Sequence, residues 1–305
     1  MNKNTLRVHA AILGANLIYG LNYVVAKDVM PDYILPSGFI LLRVSVACLL
    51  FFLLSFFFKQ SVKIKRRDWP RLIICGFFGV AANQLLFFNG LNITTPINAG
   101  IIMTSNPILV LLGSAVLLGE AISRRKIAGV LLGLTGAVLL ILYKSGSGVP
   151  ELSFDTAAGD FMVFLNAGCY ALFLVLVKPL MEKYPSLTVI KYAFLVGFFF
   201  VLPFGFKELS QVDFGQMPPS IIAETAFVVV FTTFFAYLLN SFALSTAKPS
   251  TVSIYIYSQP VFAAFFAVLL GKDVVTGVKV LSAALIFSGV YLVSIRGKKP
   301  KFEKS

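Results

Sequence analysis

TTPINAGIIMTSNPILVLLGSAVLLGE, Thr94 to Glu120, is answered 153 positions later by AKPSTVSIYIYSQPVFAAFFAVLLGKD, Ala247 to Asp273. Pro96, Asn106 with Pro107, Glu120 and Gly136 recur as Pro249, Gln259 with Pro260, Asp273 and Gly289. One chain therefore holds two copies of one unit. Each copy puts a carboxamide and a helix-breaking proline in the middle of an apolar run, where the freed backbone groups must find partners away from water. The pattern reads as a membrane carrier built from repeats.

Composition agrees with that reading. Of 305 residues, 58% are hydrophobic and 13% charged, against about 25% charged in soluble domains. A hydrocarbon core of about 30 Å needs about 20 apolar residues per helix. Ten runs fit, at 9–27, 36–58, 72–91, 97–118, 127–143, 159–178, 187–206, 221–242, 250–270 and 277–295. Strands of an outer-membrane barrel would be half as long and would alternate polar with apolar residues. The expected fold is an all-α integral membrane protein with ten transmembrane helices. Lys3 and Arg7 precede the first run as they would a signal peptide, but no A-x-A site follows, so it reads as a retained helix. Cys48, Cys75 and Cys169 fall inside apolar runs without metal-like spacing and read as packing residues.

The net charge is +13, and what matters is where the cations fall. With the N-terminus in the cytoplasm, 20 of the 26 Lys and Arg lie on the cytoplasmic side. The positive-inside rule then places both termini in the cytoplasm, and the expected location is the plasma membrane, the inner membrane of a bacterium. Basic runs at Lys63 to Arg67 and Lys298 to Lys304 read as topology signals touching anionic lipid, not as a nucleic-acid surface.

KSGSGVPELSFDTAA, Lys144 to Ala158, is rich in Ser, Gly and Pro and separates spans five and six. The organisation expected is a first repeat at 1–143, a linker at 144–158, a second repeat at 159–295 and a basic cytoplasmic tail at 296–305. Five spans is an odd number, so the second repeat enters from the opposite face. The repeats are then inverted, a common plan among secondary transporters.

The interruptions locate a candidate site. Asn106, Pro107, Gln259 and Pro260 lie about ten residues into their spans, some 15 Å deep and close to the midplane. Pro107 frees the carbonyl of Met103 and Pro260 that of Ile256. The alternative is a pair of kinked helices whose Asn and Gln only tie them to their neighbours. Polar faces at helical spacing add Asn16, Tyr19, Gly20 and Tyr23 in span one and Asn166 and Tyr170 in span six. Span eight adds Thr233, Tyr237, Asn240 and Ser241, span three adds Asn83, Gln84 and Asn89, and span nine adds Tyr255. The substrate-contact set expected from these is Asn16, Tyr19, Tyr23, Arg43, Gln84, Asn106, Asn166, Tyr170, Tyr237, Tyr255 and Gln259, with Pro107 and Pro260 as kink or gating residues. Amide, hydroxyl and aromatic groups suit a small amphipathic molecule.

Arg43 is the one deep charge; none of the 13 acidic residues lies near a span centre. Arg43 suits a carboxylate-bearing substrate, or else it snorkels or binds a backbone carbonyl. Gly129 and Gly133 form a GxxxG face extended by Gly136, expected to pack within the chain; a monomer is expected, with a dimer through this face as the alternative. No HExxH, GxSxG, Walker loop or GxGxxG is present and His9 is the only histidine, so no enzyme, cofactor or metal site is expected.

These residues resemble the EamA branch of the drug/metabolite transporter superfamily over nearly the whole chain. YGLNYVVAK, Tyr19 to Lys27, is similar to its first-helix motif, with Tyr19 where Trp is usual. Pro36 to Arg43 resembles the Pro-x6-Arg of the second helix, and Thr94 to Glu120, continued by Gly129, Gly133 and Gly136, resembles the most diagnostic stretch. Asp273 stands where Glu is usual, and Ser282 where the glycine equivalent to Gly129 would fall. The resemblance implies ten helices in two inverted five-helix repeats, a central cavity formed by both, peripheral fifth and tenth helices, and export of amino acids or related metabolites by alternating access. An exporter of hydrophobic or cationic drugs and a non-transporting membrane receptor or scaffold are the alternatives.

Overall fold

The structure is a computed structural model that describes residues 3–58, 62–94, 96–143, 157–269 and 274–295. The side chain of Tyr23, Asp273, linker residues 144–156 and the tail 296–305 lie outside the described set.

Among the described residues the chain forms α1 (Lys3–Val29), α2 (Pro36–Phe57), α3 (Arg66–Ile93), α4 (Pro96–Met103 and Asn106–Leu118) and α5 (Arg124–Tyr143). It continues as α6 (Ala157–Lys183), α7 (Ser186–Ser210), α8 (Pro219–Thr246), α9 (Pro249–Leu269) and α10 (Gly277–Ser294). Eight of them, all but α1 and α5, are long and apolar enough to cross a membrane. α1 and α5 run for 27 and 20 residues, and α5 opens on Arg124, Arg125 and Lys126. Several helices outrun their apolar stretches: α3 starts at Arg66, and α6 runs to Lys183. Apolar counting measures the length immersed in hydrocarbon, whereas a helix continues into the headgroup layer, where Lys and Arg are tolerated. Ala157 and Ala158, the last two residues of the stretch expected as linker, belong to α6.

The most extensive pairings are α5 with α10, α2 with α7, α3 with α6 and α1 with α8. The α5–α10 contact shows what the glycines do. A Cβ on Gly289 would lie 2.4 Å from the Gly129 carbonyl oxygen, and one on Gly129 would lie 2.8 Å from that of Gly289. Close backbone approach of this kind is what GxxxG faces provide in lipid, and here it is used inside the chain. Buried Ile12, Ile40, Val44, Phe51, Ile190 and Phe194 fill the interior, while Phe56, Phe57, Val116, Phe199 and Phe204 are exposed. In a membrane protein such an apolar exterior is the surface that meets lipid.

Four helices break regularity, and they fall in corresponding places. α3 has a π segment at Phe77–Ala82 and α8 one at Val228–Phe235. α4 is interrupted at Thr104 and Ser105, and α9 tightens into a 3₁₀ segment at Ile254–Ser258. Pro107 and Pro260 are the second residues of the helical segments that follow. The break therefore sits one turn ahead of each proline, where its ring clashes and its missing N–H leaves a carbonyl free. Gly119 ends α4 in the left-handed conformation at φ 64°, and the Glu120 N–H donates to Ser114 O at 3.0 Å.

Candidate functional site

These irregular segments meet around a cavity of about 110 Å³. Tyr19 and Asn22 face it from α1, Arg43 from α2, Asn83, Gln84, Phe87 and Phe88 from α3, and Met103 from α4. Asn166 and Tyr170 of α6, Thr232 and Tyr237 of α8, and Ile256 and Gln259 of α9 complete it. Met103 and Ile256, the residues whose carbonyls the prolines free, both line the wall.

Arg43 is 3% exposed, an expensive place for a cation. Its Nε donates to Thr233 Oγ1 at 2.9 Å, and its guanidinium carbon lies 4.5 Å from the Phe88 ring centroid and 5.6 Å from that of Phe39. Cation–π contact recovers part of the lost hydration. Nη1 has no hydrogen-bond partner, and the ion pairs among the described residues join Lys126 to Glu120, Lys178 to Glu182 and Lys183 to Asp68, none of them at Arg43. A buried guanidinium with an unpaired donor in a cavity wall is chemically able to pair with an anionic group.

The π segments explain how this side chain is held. Thr233 accepts from Arg43 and donates to Val228 O at 3.1 Å, within the π segment of α8. Across the cavity, the Tyr237 hydroxyl donates to Gly79 O at 3.3 Å, within the π segment of α3. Gly79 also lets the Phe173 ring of α6 pack against α3, since a Cβ there would sit 2.2 Å from that ring. Such π segments recur at functional sites because the extra residue re-aims side chains and backbone groups.

Of the residues expected at the site, Tyr19, Arg43, Gln84, Asn166, Tyr170, Tyr237 and Gln259 line one cavity. Asn106 lies behind the wall, fully buried, its Nδ2 donating to Ala167 O at 3.0 Å. Asn16 supports Gln259: the Gln259 Nε2 donates to Asn16 Oδ1 at 2.8 Å, and the Asn16 Nδ2 donates to Ile12 O at 2.8 Å. The Tyr255 hydroxyl hydrogen-bonds His9 Nδ1 at 2.7 Å, away from the cavity wall. Asn22, Phe87, Phe88 and Thr232 were missed. Asn22 was legible, three residues after Tyr19 on the same helix face. Thr232 was not: a regular helix pairs Thr233 with Tyr237, whereas the π turn brings residues five apart onto one side.

Two polar ties join the halves at opposite ends of α4. At its C-terminal end, the buried Glu120 carboxylate accepts from Lys126 Nζ and from the Ser250 hydroxyl at the start of α9. Ahead of its N-terminal end, the Thr94 hydroxyl donates to Asp160 of α6. Lys178 is 8% exposed and donates to Leu244 O at 3.0 Å, at the C-terminal end of α8.

A bundle of apolar spans around a polar, partly unsatisfied cavity defines a multi-pass membrane protein. The sequence model of the EamA-like transporter family matches residues 6–142 and again residues 157–295, and the chain belongs to that family. It is similar to an uncharacterized transporter of Archaeoglobus fulgidus, 28% identical over 79% of this chain and 81% of the relative. YyaM of Bacillus subtilis, also an uncharacterized transporter, is 24% identical over 97% of this chain and 96% of its own. A protein of Streptantibioticus cattleyicolor named "Probable terminal-alkyne amino-acid exporter" is 24% identical over 76% and 75% of the two chains. One solved crystal structure superposes with a TM-score of 0.76 at 17% identity, covering 93% of this chain and 95% of its own, which is a likeness of fold.

Proposed function

We propose that this transporter exports amino acids or related small carboxylate-bearing metabolites across the bacterial inner membrane by alternating access. The observation that carries this is Arg43: a buried cation whose Nη1 has no hydrogen-bond partner and which, among the described residues, has no carboxylate partner, in the wall of the cavity. A carboxylate substrate supplies the missing charge. The name of the Streptantibioticus cattleyicolor relative points the same way.

We read the fold as ten membrane helices in two inverted repeats with both termini cytoplasmic. Supporting this, the main pairings map onto themselves when each helix is exchanged with the one five later: α5–α10 and α2–α7 are self-matching, and α3–α6 maps onto α8–α1. The matched breaks in α3 and α8, and in α4 and α9, obey the same exchange. Rocking of one repeat against the other then exposes the cavity alternately to each side. Cationic drugs fit this site poorly, since no acidic residue lines it among the described residues.

The test is counterflow into proteoliposomes of purified protein with a panel of labelled amino acids and other carboxylates. At least one carboxylate is carried, and Arg43→Gln abolishes its counterflow. Carriage of carboxylates unchanged in Arg43→Gln sinks the reading.

A further inference from the structure

We infer that the carboxamides of Gln84 and Asn166, with Asn22, form a subsite for a substrate ammonium group, so that the cavity selects neutral zwitterions, α-amino acids with uncharged side chains. This rests on the proposed carboxylate role of Arg43 and adds the opposite pole.

The amide groups are built for a ligand and not for one another. Gln84 is 3% exposed, lines the cavity, and neither its Oε1 nor its Nε2 has a hydrogen-bond partner. A buried amide with no protein partner at either end keeps both its donor and its acceptor open to a molecule that enters the cavity. Asn166 gives the polarity. Its Nδ2 donates to Asn83 O at 2.6 Å, which fixes which end of the amide is oxygen. Oδ1 is then an acceptor with no partner. Because Asn166 is tethered to the residue before Gln84, the two amides share one patch of wall. Asn22 Oδ1, also on the cavity and without a partner, adds a further acceptor from α1.

Charge decides what meets these acceptors. Among the described residues, Arg43 is the only charged one in the wall. A carboxylate in place of an amide would pair with Arg43 and compete with the substrate, whereas amide oxygens accept from an ammonium and leave Arg43 open. A second carboxylate on the substrate would set its lone pairs against these oxygens and be rejected. An amine without a carboxylate would bring a second cation to Arg43. Phe87, Phe88, Met103 and Ile256 are left for an uncharged side chain.

The experiment uses the full chain in proteoliposomes. Counterflow of labelled L-alanine, L-leucine and L-phenylalanine is competed with the matching acids lacking the amine (propionate, 4-methylpentanoate, 3-phenylpropionate) and the matching amines lacking the carboxylate. For the amino acid that is carried, the parent competes better than either analogue by about tenfold or more, the penalty expected when a site built for a polar group meets a molecule without it. Gln84→Glu, which removes no protein hydrogen bond, raises competition by the amine and lowers it for the amine-free acid. Gln84→Leu erases the preference for amino acid over amine-free acid. Equal competition by the amine-free acid in the unmodified protein, or no change of preference in both Gln84 variants, overturns the subsite. The role of Arg43 then still stands if Arg43→Gln abolishes transport of both acids. Carriage of no carboxylate at all overturns both.

Discussion

The hydroxyl of Tyr257 donates to the backbone oxygen of Thr104 at 3.0 Å, and the two residues stand 153 positions apart, the offset of the sequence repeat. Equivalent places in the two halves thus touch, one supplying the donor and the other the carbonyl left open by the break ahead of Asn106. Tyr257 is held there by its fit to α5: a Cβ on Gly133 would lie 2.3 Å from its ring. Tyr257→Phe keeps the ring and removes the donor, and the buried carbonyl loses about 1–3 kcal/mol of compensation. The expected result is a lowered midpoint of thermal unfolding in detergent. Gly133→Ala, which drives a methyl into the ring, lowers it further. Unfolding unchanged in both variants refutes the role of this contact.

Thr233 sets the direction of Arg43 through the 2.9 Å bond to Nε. Thr233→Val preserves shape and removes the acceptor. A charge-assisted hydrogen bond of this type contributes about 1.5–3 kcal/mol, so carboxylate counterflow falls by about ten- to a hundredfold. Thermal stability changes less, because the guanidinium keeps its contact with Phe88. Arg43→Lys, which keeps charge without the planar fork, falls in the same range.

Glu120, Lys126 and Ser250 tie the end of α4 to the start of α9. If the proposed alternating access opens this end, weakening the tie favours the conformation open on that side. In a variant lacking Cys48, Cys75 and Cys169 and carrying Ile256→Cys, Glu120→Gln should increase labelling by an impermeant maleimide from that side several-fold. Labelling that does not change with Glu120→Gln means that the cluster is not a gate.

The membrane fold was legible because lipid enforces a simple rule: every backbone group must be satisfied within the span, so length and apolarity suffice to mark helices. The positions of the breaks were legible for a related reason, since proline frees a carbonyl four residues back and the helices lose regularity one turn ahead of Pro107 and Pro260. What a single sequence could not separate was the two uses of a buried amide. Asn106 and Gln84 are equally polar and equally deep, yet Asn106 is tied to Ala167 while Gln84 has no protein partner. That difference depends on which neighbour lies opposite, and helical periodicity carries no information about the neighbour. The π segments add a second loss, because they rotate the downstream face and move Thr232 to the cavity where spacing by four favours Thr233.

Gln259 joins both uses, since it lines the cavity and also donates to Asn16 at 2.8 Å. If that bond mainly positions the Gln259 amide, its strength should be ordinary for lipid and its effect on transport large. Polar pairs between membrane helices couple by about 0.6 kcal/mol on average, with a ceiling near 1.7. A double-mutant cycle of Asn16→Ala and Gln259→Ala, read by reversible unfolding in mixed micelles, should return a coupling in that range. Counterflow should drop in Asn16→Ala as well as in Gln259→Ala, although Asn16 itself does not reach the cavity. Normal counterflow in Asn16→Ala with the same coupling would show that the bond serves packing alone, and that the Gln259 amide keeps its place without it.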